Sequence, residues 1–127
     1  MKTQRVLILL GIGILFSTLF LACATDRVVP VTNARGERVN GTATGSAPGF
    51  GGEVTVTLTL ENGFITNVVA RADNDTAMFA DPVVTRAHND MVRFNAPEID
   101  AVSGATITSM AVNAAARDAL NQIMAAQ

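Results

Sequence analysis

One stretch in the middle of the chain alternates apolar residues and threonines and then turns back on itself. Over Glu53–Leu60, valines and leucines alternate with threonines, which is the pattern of a strand with one buried face. Asn62-Gly63 follows, and this dipeptide strongly favours a two-residue hairpin turn. Phe64–Arg71 then returns with several β-branched residues. The sequence therefore predicts an antiparallel hairpin, with Asn40–Ser46 as a short strand before it.

Two helices are predicted after the hairpin. Asp81-Pro82 fits an N-cap followed by proline at the first helical position, and apolar residues then recur at helical spacing to about Asn95. Thr108 or Ser109 is expected to cap a final helix that runs to about Ala126 with an apolar stripe along one face.

The segment between the two helices, Ile99–Val102, is expected to form a short strand that enters the core. Together these elements predict an α+β fold, in which helices pack on a small and largely antiparallel sheet. The domain is expected to span residues 39–127.

The first 22 residues differ from the rest of the chain. Lys2 and Arg5 precede the apolar run Val6–Ala22, and Cys23 follows, which is the layout of an export signal. Three interpretations stay open: lipoprotein cleavage before Cys23 with lipid on its thiol, ordinary cleavage before Thr25, or retention as a membrane anchor. We favour the lipoprotein, because Cys23 is the only cysteine and stands where a lipid would be attached.

All three interpretations place the remainder outside the cytoplasm, with residues 23–38 as a polar tether. Loss of the signal removes two of the nine basic residues and none of the eleven acidic ones, so the remainder is mildly acidic. No basic patch that would suggest a nucleic-acid partner is visible.

The sequence contains no motif that pairs a nucleophile with a base. His88 is the only histidine, and we interpret it as a surface residue of the predicted helix. Asp73, Asp75 and Asp81 lack the spacing of an ion-binding loop, so they are interpreted as loop and cap residues. Independent hydrolytic or transfer activity and a metal site are therefore not predicted.

The stretch Asp100–Ser109 contains a glycine-centred turn, several hydroxyl groups and the start of an apolar helix. Such a helix start presents free N–H groups and the positive end of the helix dipole, which together attract a phosphate. By local pattern alone, the same residues also fit an ordinary polar turn with a helix cap.

The sequence Asp100-Ala101-Val102-Ser103-Gly104-Ala105-Thr106 resembles the Asp-x-x-(Ser/Thr)-Gly-Ala-Thr pattern of the FMN-binding domain family. This family includes the flavin-carrying subunits of the sodium-pumping NADH:quinone reductase and of the Rnf complex. The resemblance also covers the glycine-rich turn at 49–52 and the hairpin, and spans about Val39–Asn121.

The resemblance implies that the phosphate of FMN is joined to Thr106 by a phosphoester. Asp100, Ser103, Gly104 and Ala105 would be the recognition sequence of a flavin transferase that uses FAD. The protein would then be an extracytosolic electron carrier, tethered to a membrane and working between membrane or envelope redox partners. The alternative is an envelope module that binds FMN reversibly without an electron-transfer role of its own. A one-domain flavin reductase with a substrate of its own is a less favoured interpretation, because the chain is small and shows no catalytic constellation.

Overall fold

The computed structural model describes residues 27–127. They form three strands followed by two helices. The elements are β1 (Gly41–Pro48), β2 (Glu53–Glu61), β3 (Phe64–Arg71), α1 (Ala77–Phe94) and α2 (Thr106–Ala125). The predicted α+β class is confirmed. The predicted export signal and Cys23 lie outside the described residues.

The strands form one antiparallel sheet in the order β1-β2-β3. Asn62 and Gly63 both have positive φ, at 54° and 81°, as a two-residue type I′ hairpin turn requires. The valines and leucines of β2 are buried on one face of the sheet, while its threonines face outward with Thr42 and Thr44 of β1. The alternation in the sequence therefore correctly predicts which face is buried.

Both helices pack on the apolar face of the sheet. Helix α2 contacts β1 and β2, and α1 contacts mainly β3. Gly45 allows the close approach of α2 to β1, because a Cβ at this position would overlap the Ala115 carbonyl oxygen. Among the described residues, neither helix is long and apolar enough to cross a membrane.

Helix α1 begins earlier than the sequence predicts. Its N-cap is Thr76 rather than Asp81, and Pro82 lies inside the helix. Ala80 is buried in the core together with Val83. The helix therefore gains a turn because tertiary burial of Ala80 outweighs the local preference for proline at a helix start.

Two predictions around α2 are wrong. Residues 99–102 do not form a strand; instead, side chains of α2 bind their backbone. Helix α2 begins at Thr106 with Ala105 as N-cap, so Thr108 and Ser109 lie in its first turn rather than before it. Both hydroxyl side chains are buried there and bind partners inside the fold, which leaves neither free to cap the helix.

Candidate functional site

The chain enters α2 through a tight turn. The Ala105 N–H donates to the Val102 carbonyl at 2.9 Å, which closes a four-residue turn. Gly104 is the third residue of that turn and has φ of +81°, a conformation that favours glycine. The turn therefore depends on Gly104 for its backbone path and delivers Thr106 as the first residue of the helix.

The segment before the turn is held by the helix that follows it. The side-chain amide of Asn113 accepts from the Ile99 N–H at 2.8 Å and donates to the Ile99 carbonyl at 2.9 Å. The Ser109 hydroxyl accepts from the Val102 N–H at 3.0 Å and donates to the Ala105 carbonyl at 2.8 Å. Residues 99–105 therefore have a defined conformation although they belong to no strand or helix.

The hydroxyl groups of this stretch differ in exposure. Thr108 is 4% exposed and Ser109 is 1% exposed, and both hydroxyls donate hydrogen bonds. Ser103 and Thr106 are exposed. Thr106 differs from Ser103 because it also lines a pocket. Of these four hydroxyls, that of Thr106 is the one that is both accessible and adjacent to a cavity.

A pocket of about 370 Å³ lies at the N-terminal end of α2. Its volume is within the range of small-molecule sites. The lining residues are Phe50, Asp75, Thr76, Phe79 and the run Gly104–Thr108. No lysine or arginine is among these lining residues, which all belong to the described part of the chain. An anion here would instead meet the first N–H groups of α2, which have no partner within the helix, and the positive end of its dipole.

Two phenylalanines give the pocket its apolar walls. Phe50, from the glycine-rich turn between β1 and β2, is 73% exposed, and Phe79, from the first turn of α1, is 45% exposed. Such exposure is uncommon for aromatic side chains in a folded domain. The pocket therefore offers aromatic surface beside the anion-attracting helix start, which suits a ligand with a planar ring and a phosphate.

The predicted motif divides between two places. Gly104, Ala105 and Thr106 line the pocket, whereas Asp100 and Ser103 are exposed outside it. Asp100 instead borders a shallow depression beside Phe94. The motif is therefore split between Gly104, Ala105 and Thr106 in the pocket and Asp100 and Ser103 on the exposed surface.

Asp75 belongs to the pocket but was interpreted from the sequence as an ordinary loop residue. Its carboxylate accepts from the Gly51 N–H at 2.5 Å and from the Thr108 hydroxyl at 2.6 Å. These partners lie 24 and 33 positions away in the chain. No local pattern connects residues so far apart, so the sequence carried no signal for this arrangement.

His88 lies apart from the pocket. It is exposed on α1, and its Nδ1 lies 2.9 Å from the Val68 carbonyl oxygen. Within residues 27–127, no group of three or more His, Cys, Asp or Glu side chains is placed to hold a metal ion.

Comparison with known proteins agrees with this geometry. The family model described as "FMN-binding domain" matches residues 49–121, which is more than half of the chain. The match begins at the glycine-rich turn, includes every pocket-lining residue and ends within α2. No curated protein matches the chain.

Proposed function

We propose that FMN is attached covalently to this chain through Thr106. The premise is that the chain belongs to the FMN-binding domain family and has FMN as its cofactor. The observation that carries the proposal is the position of the Thr106 hydroxyl, which is exposed at the helix start and lines the pocket. The rival hydroxyls of Thr108 and Ser109 are buried and hydrogen-bonded.

The residues present fit FMN. A phosphate on Thr106 would lie beside the first N–H groups of α2 and gain from the helix dipole. Phe50 and Phe79 would provide aromatic contacts for the isoalloxazine ring. A covalent bond also keeps the flavin at a high local concentration, so this open pocket need not bind it tightly.

The attachment reaction balances with FAD as donor. A flavin transferase would direct the Thr106 oxygen onto the phosphorus of the FMN half, breaking the pyrophosphate and releasing AMP. The Thr106 hydroxyl proton is transferred to the departing AMP phosphate, so the protein gains FMN less one water. The exposed residues Asp100 and Ser103 are available to the transferase for recognition.

The proposed role is electron carriage. Bound flavin supplies the redox chemistry, while the protein holds it in place and sets its environment. The export-signal pattern and Cys23 support a domain tethered by lipid on the extracytosolic side of a membrane. There it would pass electrons between a membrane donor and an extracytosolic acceptor.

The first test is the intact mass of the mature protein after co-expression with a flavin transferase. Wild type and Thr106→Ser, which keeps a hydroxyl, should gain the mass of FMN less water, whereas Thr106→Ala should gain nothing. Thr108→Val is the matched control, because it removes a neighbouring hydroxyl that is buried; it should still be modified.

The same spectrum distinguishes the possible N-termini, because a lipidated Cys23, cleavage before Thr25 and a retained signal differ in mass. If wild type gains no FMN while the transferase modifies another substrate, the covalent proposal is wrong. FMN that is then lost on denaturation would favour the reversible binding module.

A further inference from the structure

Three segments that are distant in sequence form the walls of the pocket. The glycine-rich turn contributes Phe50, the start of α1 contributes Phe79, and the start of α2 contributes Thr106. Asp75 lies in the loop between β3 and α1, where these segments meet. Its position raises the question of what the carboxylate does for the site.

The carboxylate joins two of the walls directly. One oxygen accepts from the backbone N–H of Gly51, the residue after Phe50, at 2.5 Å. The other accepts from the hydroxyl of Thr108, in the first turn of α2, at 2.6 Å. Hydrogen bonds to an ionised group are roughly twice as strong as those between neutral groups. Asp75 therefore connects the turn that carries Phe50 to the helix that carries Thr106.

The glycine-rich turn is packed closely enough for this connection to matter. A Cβ on Gly51 would overlap the Asn74 carbonyl oxygen, and one on Gly52 would lie 2.7 Å from the Asn74 side-chain nitrogen. The turn thus lies directly against the loop that carries Asp75. Phe50 itself is largely exposed, so little side-chain burial holds it in place. Within the turn, the Gly49 N–H donates to the Gly52 carbonyl at 2.7 Å, and the hydrogen bond from the Gly51 N–H to Asp75 holds the turn against the loop between β3 and α1.

Of the described residues that line the pocket, Asp75 alone has a side chain that carries a charge at neutral pH. A carboxylate beside a flavin opposes the arrival of further negative charge, because like charges repel more strongly in a partly buried site than in water. The charges that tune a flavin are those close to its ring. With no lysine or arginine in the lining to offset it, the charge of this carboxylate would act directly on a group bound there.

We propose that Asp75 is the positioning residue that fixes the Phe50 turn over the pocket, and that its charge makes the bound FMN harder to reduce. This inference rests on the function proposed above, since it concerns flavin held in the same pocket. It assigns two separable effects to one side chain: hydrogen bonding sets access to the flavin, and charge sets its midpoint potential.

The test uses transferase-modified protein, with covalent FMN confirmed by mass before any other measurement. Asp75→Asn removes the charge and turns one acceptor into a donor, so one of the two hydrogen bonds is lost. Its midpoint potential should move to a more positive value, and iodide should quench its flavin fluorescence more strongly. Asp75→Glu, which keeps the charge, should restore a potential near that of wild type.

Two further variants separate the causes. Asp73→Asn makes the same change of charge at an exposed position two residues away, outside the pocket, and should leave the potential unchanged. Thr108→Val removes one hydrogen bond to Asp75 but keeps the charge. It should increase iodide quenching, and any shift of its midpoint potential should be smaller than that of Asp75→Asn. If Asp75→Asn does not fold, Asp75→Ser, which also removes the charge, replaces it in the potential measurement, and Thr108→Val decides the positioning effect.

The inference is overturned if Asp75→Asn has the potential and the quenching of wild type. An equal shift of potential in Asp73→Asn would show that only net charge matters, and unchanged quenching in Thr108→Val would remove the positioning role. Failure of the proposed function gives a different result, because wild type would then carry no covalent FMN at all.

Discussion

Gly104 shows how one residue sets the geometry of the turn that leads into α2. Its φ of +81° would be strained for a residue with a side chain. Space is not the constraint, because a Cβ added at this position would lie 3.6 Å from Phe79, an ordinary van der Waals distance. Gly104→Ala should therefore lower the free energy of unfolding by about 1–2 kcal/mol through backbone strain. Denaturant unfolding of the two proteins measures the difference.

The control for that prediction is Ala101→Gly, in the same loop. Ala101 is exposed and outside the pocket, and the change adds backbone freedom without positive φ. If Gly104→Ala lowers the free energy of unfolding by no more than Ala101→Gly does, the turn does not require glycine at position 104.

The residues of the site were predictable to different degrees. Gly104, Ala105 and Thr106 are contiguous, so a short motif identified them, and they line one pocket. Phe50 and Phe79 are distant from the motif and were not predicted as part of the site. Asp75 was assigned only a loop role, because its hydrogen-bond partners Gly51 and Thr108 are brought to it by the fold. Local patterns identify neighbours in sequence, and they do not identify partners across the fold.

At the scale of elements, Pro82 makes α1 unusual. Proline lacks the N–H that would bind the Met78 carbonyl four residues earlier, and its ring crowds that carbonyl. Proline inside a helix costs about 3 kcal/mol, which is offset by about 0.4–1 kcal/mol because proline restricts the unfolded chain. Pro82→Ala should therefore raise the free energy of unfolding by about 2 kcal/mol.

Thermal and denaturant unfolding check that prediction. Pro48→Ala is a suitable control, because Pro48 ends β1 rather than interrupting a helix. If Pro82→Ala were neutral or destabilising, residues 77–81 would not behave as the first turn of α1 in solution, and the start predicted at Pro82 would be favoured after all.

The elements were predicted well where the pattern was local. Strands β2 and β3 follow from alternation and from the Asn62-Gly63 turn, and their predicted bounds agree within one residue. The start of α1 was missed because it depends on the burial of Ala80 in the core. The segment 99–102 was apolar enough to suggest a strand, but its backbone binds side chains of α2 instead of another strand.

At the scale of the whole molecule, Asn95 joins parts of the chain that the sheet and helices leave apart. It ends α1 in the left-handed conformation, with φ of 51°, and is 8% exposed. Its side chain accepts from the Ile65 N–H at 2.7 Å and donates to the carbonyls of Val29 and Gly63 at 2.9 and 3.0 Å. Val31 also donates to the Gly63 carbonyl, at 2.7 Å. The segment before β1 is thereby fixed to the turn of the β2–β3 hairpin and to the end of α1.

This arrangement predicts that Asn95 contributes to stability mainly through its side chain. Asn95→Gly keeps the left-handed backbone but leaves the buried Ile65 N–H without its partner, which should cost about 1–3 kcal/mol of unfolding free energy. Asn95→Ala should cost about 1–2 kcal/mol more, because it adds backbone strain. Hydrogen exchange at Ile65 and Val31 should accelerate in both variants.

The control is Asn67→Ala, an exposed change on the same strand as Ile65, which should stay within about 0.5 kcal/mol of the wild-type free energy of unfolding. If Asn95→Gly matches Asn67→Ala, the segment before β1 is held by its own contacts, and Asn95 does no more than end the helix.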